Sequence, residues 1–222
     1  MSQQGLGELG RSGRQLSGLT RKLLGLLCVA WALFQLWYAS PLPFVIGWGV
    51  LNDTEARSLH LGVALFLAFV VHPARASQSR SRVPAIDWAF AFLSAFAGAY
   101  FILFYAELAT RPGQPNTIDI VTASLGLVLL LEATRRAVGL PMVVLALIFL
   151  AYIMLGRYLP DVLAHKGASW ERMLSHQWLT TEGVFGVALG VSAGFIFIYV
   201  LFRALLDRAG AGKYMMQVSL AL

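Results

Sequence analysis

The chain has 222 residues, of which 58% are hydrophobic and 13% are charged, with a formal net charge of +6. A soluble domain carries about 25% charged residues to keep its surface in water. This composition therefore excludes an ordinary soluble globule and indicates an integral membrane protein. The basic residues lie between apolar runs, which indicates membrane topology and not nucleic-acid binding. The single cysteine, Cys28, excludes an intramolecular disulfide and a thiolate metal cluster.

Six weakly charged runs are candidates for membrane-spanning helices, which need about 20 apolar residues each. The uncharged runs cover 23–52, 58–74, 88–106, 120–131, 137–156 and 183–202. The fourth run extends to about 117–134 if Asp119 and Glu132 lie near opposite interfaces. Pro41 and Pro43 should end the first helix near Ala39, which leaves 44–51 as a short interfacial or re-entrant piece.

Capping signals place the ends of several of these helices. Asn52 precedes Glu55, and Asn116 precedes Asp119, by the three residues of an N-terminal capping pair. Pro84 and Pro141 stand where a third and a fifth span begin, because the first turn of a helix tolerates a missing amide. Pro160 ends the fifth span.

A short amphipathic helix is predicted within 161–182. Ser169 is its N-cap and Glu171 lies in its first turn, and one apolar face recurs at three- and four-residue intervals. That face consists of Trp170, Met173, Leu174, Trp178 and Leu179. We expect this helix to lie in the membrane interface with its tryptophans at headgroup level.

The distribution of lysine and arginine predicts the orientation. With the N-terminus inside, 12 of the 17 basic residues are cytosolic, so the positive-inside rule favours cytosolic N- and C-termini for six spans. Residues 1–22, rich in glycine, serine and arginine, are expected to form a disordered cytosolic leader. The alternative, a cleaved signal peptide, lacks a small-residue cleavage pattern at the right place.

The glycine-rich sixth run raises two further hypotheses. Its end, "RAGAGKY", lacks the first glycine and the Ser or Thr of a phosphate loop, so a helix C-terminus capped by glycine is the better interpretation. Small residues spaced about four apart favour close helix packing, or a sliding contact in a moving protein. The candidate packing residues are Gly183, Gly186, Gly190 and Gly194.

Polar side chains do not indicate an enzyme or a metal centre. The four histidines lack ligand spacing, and the acids of the spans fall near span ends, where they can reach water or an arginine. Glu132 with Arg135 and Arg136 has the spacing of an interface ion pair. We expect no catalytic residues, no bound metal or cofactor, and no mid-span helix break lined by polar residues.

The second half resembles the fused permease of TRAP transporters, in the TAXI-associated branch. The similarity begins at "RRAVGLP" (135–141) and continues in the phrase "LTTEGVFG" (179–186). It ends with Leu201, Phe202 and Leu205 followed by the glycines Gly210 and Gly212. Over the first four spans the similarity rests on helix number and orientation.

The resemblance implies a function and a division of the chain. Residues 23–137 are similar to the four-helix small subunit, and 138–222 are similar to the start of the large transport subunit, whose substrate and sodium sites lie further along. The family imports organic anions, typically carboxylates, using a sodium gradient and a periplasmic substrate-binding protein. The implied location is the bacterial inner membrane, and the implied partners are the bilayer, the binding protein and the remainder of the large subunit. The alternative is a membrane anchor or assembly subunit without a transport role.

Overall fold

The computed structural model describes residues 13–75 and 81–212, together with residues 214, 217 and 219. Within these ranges the chain forms helices joined by turns, without a strand. The helices are α1 (Gly18–Ala39), α2 (Leu42–Ile46), α3 (Asp53–Val71), α4 (Ala85–Leu103), α5 (Tyr105–Thr110), α6 (Thr117–Ala137), α7 (Leu140–Leu155), α8 (Trp170–Trp178), α9 (Val187–Val191) and α10 (Phe197–Ala209). A 3-10 turn, Gly156–Tyr158, extends α7, and a π-helical segment, Ser192–Ile196, joins α9 to α10. We call the continuous helix 187–209 the terminal rod.

Six of these helices are long and apolar enough to cross a membrane. They are α1, α3, α4, α6, α7 with its 3-10 turn, and the terminal rod. The prediction of an all-helical chain with six candidate spans is confirmed at this level. A multi-pass membrane protein is the class of fold that this set of helices indicates.

The local signals for helix ends are also confirmed. The side chains of Asn52 and Asn116 each accept a hydrogen bond from the backbone amide three residues further on. In return, the carboxylates of Glu55 and Asp119 each accept a hydrogen bond from the backbone amide of the capping asparagine. Ser169 caps α8. Helix α1 ends at Ala39, next to the Pro41 and Pro43 turn, and Gly210 ends α10 with φ 80. These short-range rules hold because they depend on neighbouring residues alone.

The centre of the bundle is the crossing of α3 and α4 at two glycines. A Cβ built on Gly98 would lie 2.8 Å from the Cα of Gly62, so the two backbones touch at this point. Small residues permit this approach, and dispersion contact over the crossing stabilises helix pairs in lipid. Helix α6 packs against the same pair through Ala123, Leu127 and other buried side chains.

Helix α8 packs into this core through one face. Met173, Leu174 and Trp178 are buried, and Trp178 Nε1 donates a 3.1 Å hydrogen bond to the carbonyl of Ala97 within α4. A Cβ built on Gly126 of α6 would lie 2.2 Å from the Trp178 ring. Trp178 is therefore buried in a slot between α4 and α6, and the position of the two tryptophans at headgroup level stays a prediction.

The remaining spans line the outside of this core. In the most apolar stretches of α3, α4 and α6, 44%, 39% and 39% of residues are buried, against 6% in α1, 11% in α7 and 6% in the terminal rod. Apolar side chains on the latter three helices face lipid or another protein. The core of the described chain is thus built by α3, α4, α6 and α8.

Two boundary predictions need correction. The expected disordered leader, 1–22, is wrong for residues 13–22, because α1 begins at Gly18 and Arg14 is buried; residues 1–12 lie outside the described ranges. The sixth span begins at Val187 and not at Gly183, because residues 181–186 form a turn. In that turn the amide of Val184 donates to the carbonyl of Gln177, which folds the chain back onto the end of α8.

Candidate functional site

Five charged side chains meet where α3 ends, α4 begins and α6 ends. We call Arg14, Asp87, Glu132, Arg135 and Arg136 the five-charge cluster. Asp87 is fully buried, contacts Arg14, and accepts a 2.8 Å hydrogen bond from Arg136 Nη1. Glu132 accepts from Arg136 Nε at 2.7 Å and from Arg135 Nε and Nη2 at 2.7 and 2.8 Å. The predicted ion pair at Glu132 is therefore part of a larger network.

Arg14 attaches the N-terminal segment to this network. Its guanidinium Nη1 donates to the backbone carbonyls of Phe69 and Val70 at 2.9 and 3.0 Å. Its backbone amide donates to the carbonyl of Val71 at 2.7 Å. The last carbonyls of a helix have no partner within the helix, so Arg14 serves as the C-terminal cap of α3. Asp87 lies in the first turn of α4, where a negative charge is favourable.

The five-charge cluster has a structural role. Both carboxylates are engaged by arginines, and the Arg136 guanidinium also lies 4.8 Å from the centroid of the Phe69 ring. The cluster ties three spans and the N-terminal segment together at one end of the bundle.

His72, immediately after α3, lies beside this cluster. Burial lowers the pKa of His72 below its ordinary value of 6.5, and the positive charge of Arg14 lowers that pKa further. Both effects disfavour the protonated ring. His72 is therefore held neutral in the folded protein over a wider pH range than a free histidine.

A second buried carboxylate lies at the opposite end of the bundle. Asp119 is fully buried, accepts a 2.6 Å hydrogen bond from the Tyr100 hydroxyl, and pairs with Arg111 at 3.2 Å. Its other oxygen accepts the amide of Asn116 in the capping box. These contacts fix the start of α6 against the end of α4.

The four glycines predicted to pack helices occupy three different environments. Gly183 and Gly186 lie in the turn before α9, where an added Cβ would meet the backbone of Gln177 at 2.4 Å or the carbonyl of Gly183 at 2.8 Å. Gly190 lies against the guanidinium of Arg57, whose Nε is 2.7 Å from the position of a Cβ. Around Gly194 an added Cβ would meet nothing within 4 Å. The structure does not bring these glycines together into one helix–helix seam.

A buried polar group that was not predicted from the sequence lies between α1, α3 and the terminal rod. We call Gln35, His60 and Ser192 the His60 cluster. Gln35 is fully buried and its amide contacts His60 Nδ1, while His60 Nε2 lies 3.3 Å from the hydroxyl of Ser192. Ser192 opens the π-helical segment, an irregularity within the terminal rod that leaves the helix continuous. The signal was a polar residue in each of three otherwise apolar runs, which counting charges overlooks.

A cavity of about 490 Å³ lies one helical turn from the His60 cluster. Its wall includes Tyr38, Asp53, Arg57, Gly190 and Gly194. Asp53 accepts from the Tyr38 hydroxyl at 2.9 Å and from Arg57 Nη2 at 3.3 Å. Arg57 Nη1 also donates to the carbonyl of Phe185 at 3.1 Å.

Metal-binding and catalytic groupings were not expected, and over residues 13–75 and 81–212 no three His, Cys, Asp or Glu side chains are grouped as a metal site.

No protein-family model, curated protein or solved structure matches the chain. The resemblance of residues 135–214 to fused TRAP permeases therefore remains a hypothesis from the sequence.

Proposed function

We propose that this chain is a membrane permease component of a tripartite importer. The importer uses a sodium gradient and a periplasmic substrate-binding protein to take up organic anions, with carboxylates as the substrate class. In this proposal the described helices are scaffold, and the substrate and sodium sites belong to the remainder of the large permease subunit. The resemblance over residues 135–214 supports the assignment.

The observation that carries the proposal is the position of the family-like phrase Leu179–Gly186. This phrase forms the turn between α8 and the terminal rod, and it is attached to the core at several points. The Phe185 ring stacks on Phe101 of α4 with centroids 5.3 Å apart, and its carbonyl accepts from Arg57 of α3. In this proposal the turn is the joint that holds the terminal rod against the scaffold helices.

The small residues of the phrase follow from this packing. Gly183 leaves no room for a side chain against α8, and Gly186 leaves none against the carbonyl of Gly183. Glycine at these two positions is therefore required by the turn and not by a helix seam. The low burial of α7 and the terminal rod fits helices whose outer faces pack against the rest of a larger transport subunit.

Uptake in cells tests the proposal through this joint. A strain that carries the permease and the binding protein is compared with strains in which Gly183→Leu or Gly194→Ala is introduced. We expect Gly183→Leu to abolish accumulation of the imported carboxylate, and we expect Gly194→Ala to retain it at a similar membrane abundance. Accumulation that is unaffected by deleting the permease, or by deleting the binding protein, would overturn the proposed function and favour a membrane anchor.

A further inference from the structure

We propose that the His60 cluster is a buried proton-binding site, with the imidazole of His60 as the group that takes up the proton. This site is independent of the proposed function. It is defined by contacts among α1, α3 and the terminal rod, and its test requires no transport assay.

The two groups that flank the His60 ring can change their hydrogen-bonding role. The Gln35 amide lies at Nδ1 and the Ser192 hydroxyl lies at Nε2. An amide and a hydroxyl can each donate or accept a hydrogen bond. The ring can therefore be neutral in either tautomer, or doubly protonated, with a partner at both nitrogens in every state.

The carbonyl oxygen of the Gln35 side chain is a buried acceptor without a partner in the described chain. Gln35 is fully buried, and its Oε1 has no hydrogen-bond partner in the described chain. In the arrangement seen, the amide nitrogen donates to Nδ1, so the neutral ring carries its hydrogen on Nε2 and donates it to Ser192. A proton added at Nδ1 needs an acceptor. Rotation of the Gln35 amide by about 180° brings Oε1 to that position, because the two ends of the amide have nearly the same shape.

The groups around the His60 ring are an aromatic side chain, uncharged polar side chains and one ion pair. From α1 the ring meets Gln35 and the indole of Trp31, whose centroid is 5.1 Å from the His60 centroid. From the terminal rod it meets Ser192. On α3 itself, Arg57 and Asp53 lie one and two turns toward the N-terminus and are paired with each other. An aromatic neighbour favours a cation, and the Arg57–Asp53 pair is neutral as a unit.

The cavity beside Arg57 offers the His60 cluster a short route to water. On each of the three helices, a residue two or three positions from the cluster lines the 490 Å³ cavity: Tyr38 beyond Gln35, Arg57 before His60, and Gly190 before Ser192. His60 is seven residues from the start of α3, which places it about 10 Å along the helix. A proton therefore needs to cross one turn of helix from the cavity and not half the bilayer. In the predicted orientation this cavity opens to the outside.

Binding of a proton changes how the three helices are joined. Protonated His60 donates at both nitrogens, so Gln35 and Ser192 both become acceptors. Ser192 begins the π-helical segment, where the regular hydrogen-bond ladder of the terminal rod is interrupted. The site thus links protonation at α3 to the irregular part of the rod.

Nuclear magnetic resonance of the chain in lipid nanodiscs, with isotope-labelled histidine, tests the site between pH 4 and pH 8.5. The His60 signals are identified by their loss in His60→Gln. We expect the His60 ring nitrogens to change from the neutral to the imidazolium shifts within this range while the protein stays folded. Gln35→Met and Ser192→Ala should each lower the midpoint of that change by roughly one pH unit.

Exposed Gln114, in the loop between α5 and α6, provides the matched control, since Gln114→Met removes a glutamine that is not part of the cluster and should leave the midpoint unchanged. If His60→Gln does not fold, His72→Asn, His165→Asn and His176→Asn each remove one of the other signals and identify His60 by elimination. A His60 ring that stays neutral down to pH 4 overturns the proposal. A midpoint that is the same in the wild type, Gln35→Met and Ser192→Ala overturns it as well.

Discussion

Arg14 and Asp87 are 73 residues apart in the chain, and their side chains form a buried ion pair. The pair joins the segment before α1 to the first turn of α4, and Arg136 of α6 completes it from the other side of Asp87. Three elements that are distant in sequence are thus fixed by one carboxylate.

Removing the charge of Asp87 should destabilise the protein strongly. Asp87→Asn leaves two arginines, Arg14 and Arg136, buried without their shared carboxylate. Loss of one partner from a buried ion pair costs about 3–5 kcal/mol. Thermal unfolding in detergent, followed by circular dichroism, should show a large drop in the melting temperature. Asp207→Asn is the matched control, because Asp207 is 69% exposed and its pair with Arg203 is 3.9 Å long. Equal melting temperatures for the two variants would contradict the structural role of the five-charge cluster.

Substitution of Gly126 should disturb the seat of Trp178. In Gly126→Ala the new Cβ would lie 2.2 Å from the indole, so α6 and α8 must move apart. Overpacking of this kind costs about 1–3 kcal/mol. Gly194→Ala adds the same methyl group where nothing lies within 4 Å, and it should be neutral or slightly stabilising. Tryptophan fluorescence during denaturant titration measures both. The prediction fails if Gly194→Ala is the more damaging substitution.

Stability should fall at mildly acidic pH through His72. The folded-state pKa of His72 is lowered by burial and by Arg14, so below pH 6.5 the unfolded chain takes up a proton that the folded chain does not. The stabilising contribution is therefore complete above pH 6.5 and is lost as the pH falls toward the folded pKa. Melting temperatures between pH 5 and pH 8 should show a steeper decline in the wild type than in His72→Asn. Parallel curves would show that His72 does not contribute.

Topology can be measured with single cysteines in a Cys28→Ser background. Val162 lies in the loop after α7 and is 94% exposed, and Ala209 is the exposed last residue of α10. With both termini inside, an impermeant maleimide added to intact cells should label Val162→Cys. It should label Ala209→Cys only after the membrane is permeabilised. The reverse pattern would invert the orientation and place the cavity beside Arg57 on the cytosolic side.

Rules that act over a few residues recovered most helix ends, whereas long-range contacts were not visible in the sequence. The capping boxes at Asn52 and Asn116 depend on a three-residue spacing, so they could be predicted. The burial of Trp178 depends on space at Gly126, which is 52 positions away in the chain. A tryptophan on an amphipathic face is compatible with both the membrane surface and a protein slot.

The same limit applies to the polar groups. The contact of Glu132 with Arg135 and Arg136 follows from helical spacing, but the addition of Arg14 and Asp87 requires the tertiary fold. Gln35, His60 and Ser192 are uncharged and lie in three separate apolar runs. Their association is a property of how α1, α3 and the terminal rod pack, and no local pattern encodes it.

The most direct test of the central claim is sodium-driven uptake by the permease reconstituted in proteoliposomes with its binding protein. Labelled organic carboxylates are supplied outside, and an inward sodium gradient is compared with an equal choline gradient. The proposed function predicts accumulation only when the sodium gradient and the binding protein are both present. Equal accumulation with choline, or accumulation without the binding protein, would contradict it.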